Sequence, residues 1–446
     1  MTKLTAEQVK SLAPDPSSLK SAQGLADARH WASLGGNNVA LWGECKGSGK
    51  EPYKVRVDLA NMGYACSCPS RKFPCKHCLG LMLMSATSST SLTEKSPPPW
   101  VTEWLEKREE RKSRAEKKAP TREETPETTA ARQKDAARRA EKREKLTDIG
   151  IDSLEKWLKD FARAGLAFAQ SAPPSFWNDQ TARMIDSQLP GAARLIREMA
   201  TLPGTRADWA EILLLRLARL HALVNAYRRL EGLPQTTQQD VRGLLGWSVN
   251  QDELLASTQG YRDDWLVLHT YTELDEKTNL RTQVNWLWGR VEKRIALILN
   301  FAHQSQPMDA SLVQGLVLQG ELVYFLGAHP LRAIFREKRV VNEKVVPQGF
   351  KSVRDLLDSY AVALGYNPWL ENFPAVLEMA TPMRVHAGWV LKDTEGYILP
   401  LPASHPSAWE LFALGGGHPL TIFGTWDGST FTPLAAWESE RLVNLL

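Results

Sequence analysis

No run in the 446-residue chain approaches the 18 or so uncharged apolar residues of a membrane span. The nearest stretch, Ile212 to Val224, is broken by Arg216, Arg219 and His221. The first twenty residues hold no apolar h-region, so no secretory leader is expected and the cytoplasm is the expected location. Cysteine is scarce, five residues in all, and none lies beyond Cys78, which excludes a second thiolate metal site downstream. Gly-x-Ser-x-Gly is absent, as is any acid/base pair of recognisable spacing. Gly47-Ser48-Gly49-Lys50 is not a phosphate loop, because that motif needs glycine at Glu44 and Ser or Thr at Glu51. Gly415-Gly416-Gly417-His418 lacks the strand-to-helix setting of a dinucleotide fingerprint. Histidines away from the cysteines are scattered singly. A non-enzymatic protein is therefore expected, and an enzyme would need a pocket of convergent ionisable groups within residues 147–446.

The formal charge of +4 hides an asymmetry. Residues 1–145 carry 27 Lys+Arg and 18 Asp+Glu, whereas the remainder carry 28 and 33. A basic N-terminal part suits an acidic partner, either nucleic acid or an acidic protein face. Much of that excess lies between Glu106 and Lys145, with 15 Lys+Arg, 10 Asp+Glu, no aromatic and no large aliphatic residue. Such a stretch buries too little apolar surface to offset its ordering entropy and is expected to be a tether, with Trp104 to Lys118 and Ala130 to Lys145 as helix-prone spacers.

The expected layout is a multidomain α+β chain. A small ββα-like finger occupies 1–90, a charged linker 91–146, a helical domain 147–310, and an α+β domain with C-terminal hairpins 311–446. Trp157, Leu158 and Phe161, and Leu213, Leu217, Leu220 and Val224, recur at helical spacing; a third helix is expected over Val284 to Ala302. On such a helix Trp286 and Trp288 could not both face the core. Further on, the patterns give a helix over Ser352 to Leu364 and hairpins turning at Asp393-Thr394-Glu395-Gly396 and Asp427-Gly428. The 16 tryptophans, 12 of them after residue 145, are read as core and hairpin packing.

Four of the five cysteines fall within thirteen positions: Cys66-Ser67-Cys68, six residues, then Cys75-Lys76-His77-Cys78. In a chain with no leader, clustered cysteines favour metal binding over disulfides. Zinc takes four such donors in a tetrahedron. Tyr53 to Leu59 alternates as a strand and Gly63 to Cys66 pairs back on it, placing Cys66 and Cys68 on one face; Leu79 to Met84 continues as an apolar helix. Five donors compete for four places. Cys66, Cys68, Cys75 and His77 form one set; Cys78 in place of His77 forms the other. Helical spacing favours the first, since Cys78 lies three and four residues from Leu81 and Met82 and joins an inward apolar row. No acidic base lies within the cluster, so one closed structural zinc is expected rather than a catalytic one. Arg71, Lys72 and Lys76 present charge beside it.

The run Gly63-Tyr64-Ala65-Cys66-Ser67-Cys68-Pro69-Ser70-Arg71-Lys72-Phe73-Pro74-Cys75-Lys76-His77, with its lead-in Trp42 to Ser48 and Pro52 to Val55, resembles the bacterial SWIM-type zinc finger over about residues 20–90. The resemblance implies zinc on Cys66, Cys68, Cys75 and His77, and binding of DNA or protein; Cys78 stands where the family usually has an apolar residue. It also implies an association with AAA-type ATPases and von Willebrand A-domain proteins. A protein partner is expected, with DNA or RNA as the alternative.

Overall fold

The computed structural model describes residues 4–47, 51–60, 62–70, 72–87, 96–117, 126–275, 279–303, 308–309, 311–341 and 343–445. Helix α1 (Ala6–Ser11) opens on a capping box, in which the Gln8 N–H donates to Thr5 Oγ1 and the Thr5 N–H to Gln8 Oε1. Helix α2 (Pro16–Leu25) begins with Asp15 accepting from the Ser18 N–H, and proline supplies its first position. Strands β1 (Trp31–Gly36), β2 (Ala40–Cys45), β3 (Tyr53–Asp58) and β4 (Gly63–Cys66) form an antiparallel sheet in that order. Helix α3 (Lys76–Thr87) is apolar on every side and buried from His77 to Met84. Gly80 lets it close on α2, since a Cβ there would meet Leu25 Cβ at 3.0 Å. The expected two-stranded ββα unit is thus a four-stranded sheet carrying three helices. It has a substantial core, which continues into Val313 and Leu316 of the C-terminal region.

Helix α4 (Pro99–Lys117) corrects the first part of the expected linker 91–146, ahead of the tether expected from Glu106. Its first turns are docked on the finger: Val101 is fully buried with Ala40 and Trp42, and the Arg56 guanidinium donates to the Trp100 carbonyl at 3.3 Å. Arg56 also lies over the Trp100 and Trp104 rings, and Arg108 over Trp104 while pairing with buried Asp58 at 3.3 Å. Composition reported the charges, yet two tryptophans and one valine suffice to anchor the helix. Beyond it, α5 (Pro126–Ala164) runs as one helix into the next domain.

There α5 packs with α7 (Pro174–Asp186), α8 (Pro190–Ala200), α9 (Trp209–Arg228) and α10 (Gln235–Leu245), after the short α6 (Phe168–Ser171). Trp157, Leu158 and Phe161 turn inward as expected, and Trp157, Phe161, Phe176 and Trp177 stack edge to face or offset at 5.2–5.8 Å. Leu213, Leu220 and Val224 are buried, Leu217 partly.

After α11 (Gln251–Ser257) the chain turns to strand, which moves the helical boundary from 310 back to about 257. Strands β5 (Tyr261–Asp275), β6 (Leu280–Gly289), β7 (Ile295–His303), β8 (Val317–Tyr324) and β9 (Ala333–Val341) form a five-stranded antiparallel sheet, order β7-β6-β5-β8-β9. Its edges meet where the Leu297 N–H donates to the Leu331 carbonyl. The expected helix over Val284 to Ala302 is instead the β6–β7 hairpin. Trp286 and Trp288, two apart on a strand, share a face and are both buried, at 6% and 2% exposure. Helix α12 (Val353–Tyr366) agrees with expectation. A six-stranded sheet follows, made of β10 (Phe373–Val385), β11 (Gly388–Lys392), β12 (Ile398–Pro400), then, after α13 (Ala408–Gly415), β13 (Leu420–Trp426), β14 (Phe431–Glu438) and β15 (Arg441–Asn444), in the order β12-β11-β10-β13-β14-β15. Both expected hairpins, β11–β12 and β13–β14, are present. The two sheets pack face to face through Leu266, Trp286 and Trp288 against Val376, Phe423 and Trp437, while α12 and α13 cover the far face of the second. Among the described residues no helix is long and apolar enough to cross a membrane.

Candidate metal centre

Cys66 ends β4 opposite Val55. The connection beyond it is tied down by Ser67, whose N–H donates to the Lys54 carbonyl and whose Oγ accepts from the Lys54 N–H at 2.9 Å. Cys68 therefore returns to the face that Cys66 occupies. Cys75 stands just before α3, its carbonyl accepting from the Leu79 N–H, and His77 lies in the first turn.

The donor atoms of Cys66, Cys68, Cys75 and His77 all lie within 4.8 Å of one another. His77 Nδ1 is 3.7 Å from Cys66 Sγ and 3.9 Å from Cys75 Sγ. Bond lengths near 2.3 Å to sulfur and 2.0–2.1 Å to nitrogen put the donors of a tetrahedral zinc site roughly 3.5–3.8 Å apart. Three sulfurs and one imidazole at these separations fit that ion. Tyr53 packs on the His77 ring, with centroids 5.0 Å apart, and fixes its plane. Cys78 is fully buried with its Sγ 3.7 Å from Cys75 Sγ, so the fifth donor borders the site while belonging to the inward apolar row. Hydrogen bonds from Cys66 and Cys78 pull Cys75 well below the ordinary thiol value; the bond with Cys75 pushes Cys66 up, those with Cys66 and then Cys75 push Cys78 up, and burial raises Cys68. Cys45, the remaining cysteine, is buried in the finger core and its thiol is raised by burial.

Beside the cluster opens a cleft of about 600 Å³ that Lys72 and Lys76 both line, together with Lys46, Tyr53, Cys68 and Ser17. Lys72 pairs with Asp15 at 2.9 Å and, with the Ser18 N–H, holds that carboxyl down to about 2 from its ordinary 3.8. Lys46 donates to the Arg29 carbonyl at 3.0 Å. Lys76 has no ion pair among the described residues, and Arg71 lies outside them. Sequence reasoning missed Lys46 and Asp15, because only the fold brings α2 and the end of β2 to the loop between Cys68 and Cys75.

Two family profiles match the chain: the SWIM zinc finger over residues 53–86, and the SWIM-associated four-helix bundle domain over residues 142–245. The first spans β3, β4 and α3 with all four donors, and the second spans the bundle from the later part of α5 through α10. No curated protein and no solved structure matches it. The donor spacing and the two profiles, finger and bundle in one chain, make this a SWIM-type zinc finger protein.

Proposed function

We propose that Cys66, Cys68, Cys75 and His77 hold one structural zinc ion, and that the finger so closed presents its lysine-lined cleft to an acidic protein partner. The convergence of four donors from a strand end, a loop and a helix start carries the zinc reading. Zinc would supply a crosslink between β4 and α3; the chain's residues do the rest, with Ser67 holding the loop and Tyr53 orienting the imidazole. None of the five cysteines is in a disulfide, which suits a reducing compartment such as the cytoplasm.

For the partner, the charge density favours protein over nucleic acid. Lys72 is already paired with Asp15, which among the described residues leaves Lys46 and Lys76 to act at the cleft, short of the row of cations that phosphate neutralisation draws on. The proposed role is non-enzymatic binding. Fluorescence anisotropy with a labelled oligoglutamate peptide and a DNA duplex, at low salt, tests it on the full chain. The peptide is expected to bind, and Lys46→Glu with Lys76→Glu to weaken it at least about tenfold. Binding of DNA alone, or indifference to the charge reversal, overturns it.

A further inference from the structure

The four-donor set leaves one thiol of the cluster without a role. Cys78 is fully buried in the first turn of α3, three residues after Cys75, and its Sγ lies 3.7 Å from Cys75 Sγ. The Leu79 N–H donates to the Cys75 carbonyl, so Cys75 and Cys78 belong to one helical turn. Helical geometry puts Cα atoms three residues apart about 5 Å from one another, within the roughly 4.4–6.8 Å that a disulfide spans, and side-chain rotation closes the rest of the gap between the sulfurs.

A buried cysteine in an apolar row is ordinarily inert, because nothing reactive reaches it. Here a line of sulfurs leads inward from solvent. Cys68 is half-buried and lines the open cleft of about 600 Å³ beside the cluster. Its sulfur lies within 4.8 Å of Cys75 Sγ, and Cys75 in turn touches Cys78. Cys45, the other cysteine outside the donor set, is buried in the finger core and its thiol approaches the Lys46 carbonyl at 3.8 Å.

From this arrangement we infer that Cys75 and Cys78 are a disulfide-forming pair, joined when a hydroperoxide reaches the cleft, so that oxidation takes Cys75 out of the donor set. The Cys68 sulfur attacks the peroxide: an S–O bond forms, the O–O bond breaks and hydroxide leaves, giving a sulfenic acid. Cys75 attacks that sulfur and expels a second hydroxide, giving a Cys68–Cys75 disulfide. Cys78 then loses its proton, attacks Cys75 Sγ and expels the Cys68 thiolate. In sum Cys75 and Cys78 give up two electrons, which leave with the peroxide oxygens as water and hydroxide. Cys66, Cys68 and His77 remain, one donor short of a closed tetrahedral site. The loss of metal rests on the zinc reading above; the sulfur pair does not.

The test treats the full chain with hydrogen peroxide in the presence of a chromogenic zinc chelator, after native mass spectrometry has counted the zinc, and then maps disulfides in a tryptic digest. Trypsin cuts after Lys76, so the pair appears as two peptides joined by one bond. The parent is expected to release zinc and to show Cys75 linked to Cys78. Cys78→Ala, zinc-loaded at the start, should release it at least about tenfold more slowly, because exchange has no resolving thiol. Cys45→Ala should match the parent. Equal release rates in the parent and Cys78→Ala, or a map that leaves Cys78 reduced, would overturn the inference. A parent without zinc at the start but with Cys75 linked to Cys78 afterwards would sink the zinc reading and uphold the pair.

Discussion

Replacing Val101 by aspartate separates a helix docked on the finger from a free tether. In the structure Val101 is fully buried against Ala40 and Trp42, worth about 1.5 kcal/mol by transfer. Three cation–ring contacts, Arg56 over Trp100 and Trp104 and Arg108 over Trp104, lie at 5.3–5.7 Å and add roughly 0.5 kcal/mol each at this partly exposed surface. Docking of α4 then contributes about 3 kcal/mol, or about a hundredfold in the population of the undocked state. An aspartate at that position would bury an unpaired charge, a penalty larger than the docking energy, so the helix leaves the sheet instead. Hydrogen exchange at the Trp104 and Leu105 amides should accelerate by about that factor in Val101→Asp while the β2 and β3 amides stay protected. Equal exchange in parent and variant would refute the docking and restore the tether.

Asp263→Ala would orphan the turn N–H groups of Val291 and Glu292; because those residues are exposed and water can reach them, the loss is about 2 kcal/mol, read as a lowered urea midpoint at constant slope. His269 is buried and held down to about 4 from 6.5, chiefly by burial. Between those values the unfolded chain binds the proton and the folded one does not, so stability falls as pH drops from 6.5 toward 4, by about 3 kcal/mol in all. His269→Gln should flatten that part of the profile. Asp15, held down to about 2, contributes fully above its ordinary 3.8 and loses that contribution as pH falls through 2. An NMR titration should find its midpoint near the lower value, returning toward the ordinary one in Lys72→Ala.

What the sequence discloses here is what short range decides. Cys66, Cys68, Cys75 and His77 lie within twelve positions on a strand, a loop and a helix start, so spacing alone assembles them. The β11–β12 and β13–β14 turns carry their glycines in place, and Ser352 caps α12 by accepting from the Asp355 N–H. The hairpin at Val284 to Ala302 misleads because both faces of β6 are covered. Trp286 and Trp288 enter the core between the sheets while Leu287 enters the opposite one, which erases the alternation that marks a half-buried strand. The seat of the finger on the C-terminal sheet rests on Val313 and Leu316, more than two hundred residues beyond the finger, and no local pattern announces it. Lys46 and Asp15 at the cleft are hidden for the same reason.

Native mass spectrometry of the full chain and of its His77→Ala and Cys78→Ala variants bears most directly on the metal centre. One zinc per chain is expected in the parent and in Cys78→Ala, and loss of the metal in His77→Ala. A parent without zinc, or zinc kept by His77→Ala and lost by Cys78→Ala, would contradict it.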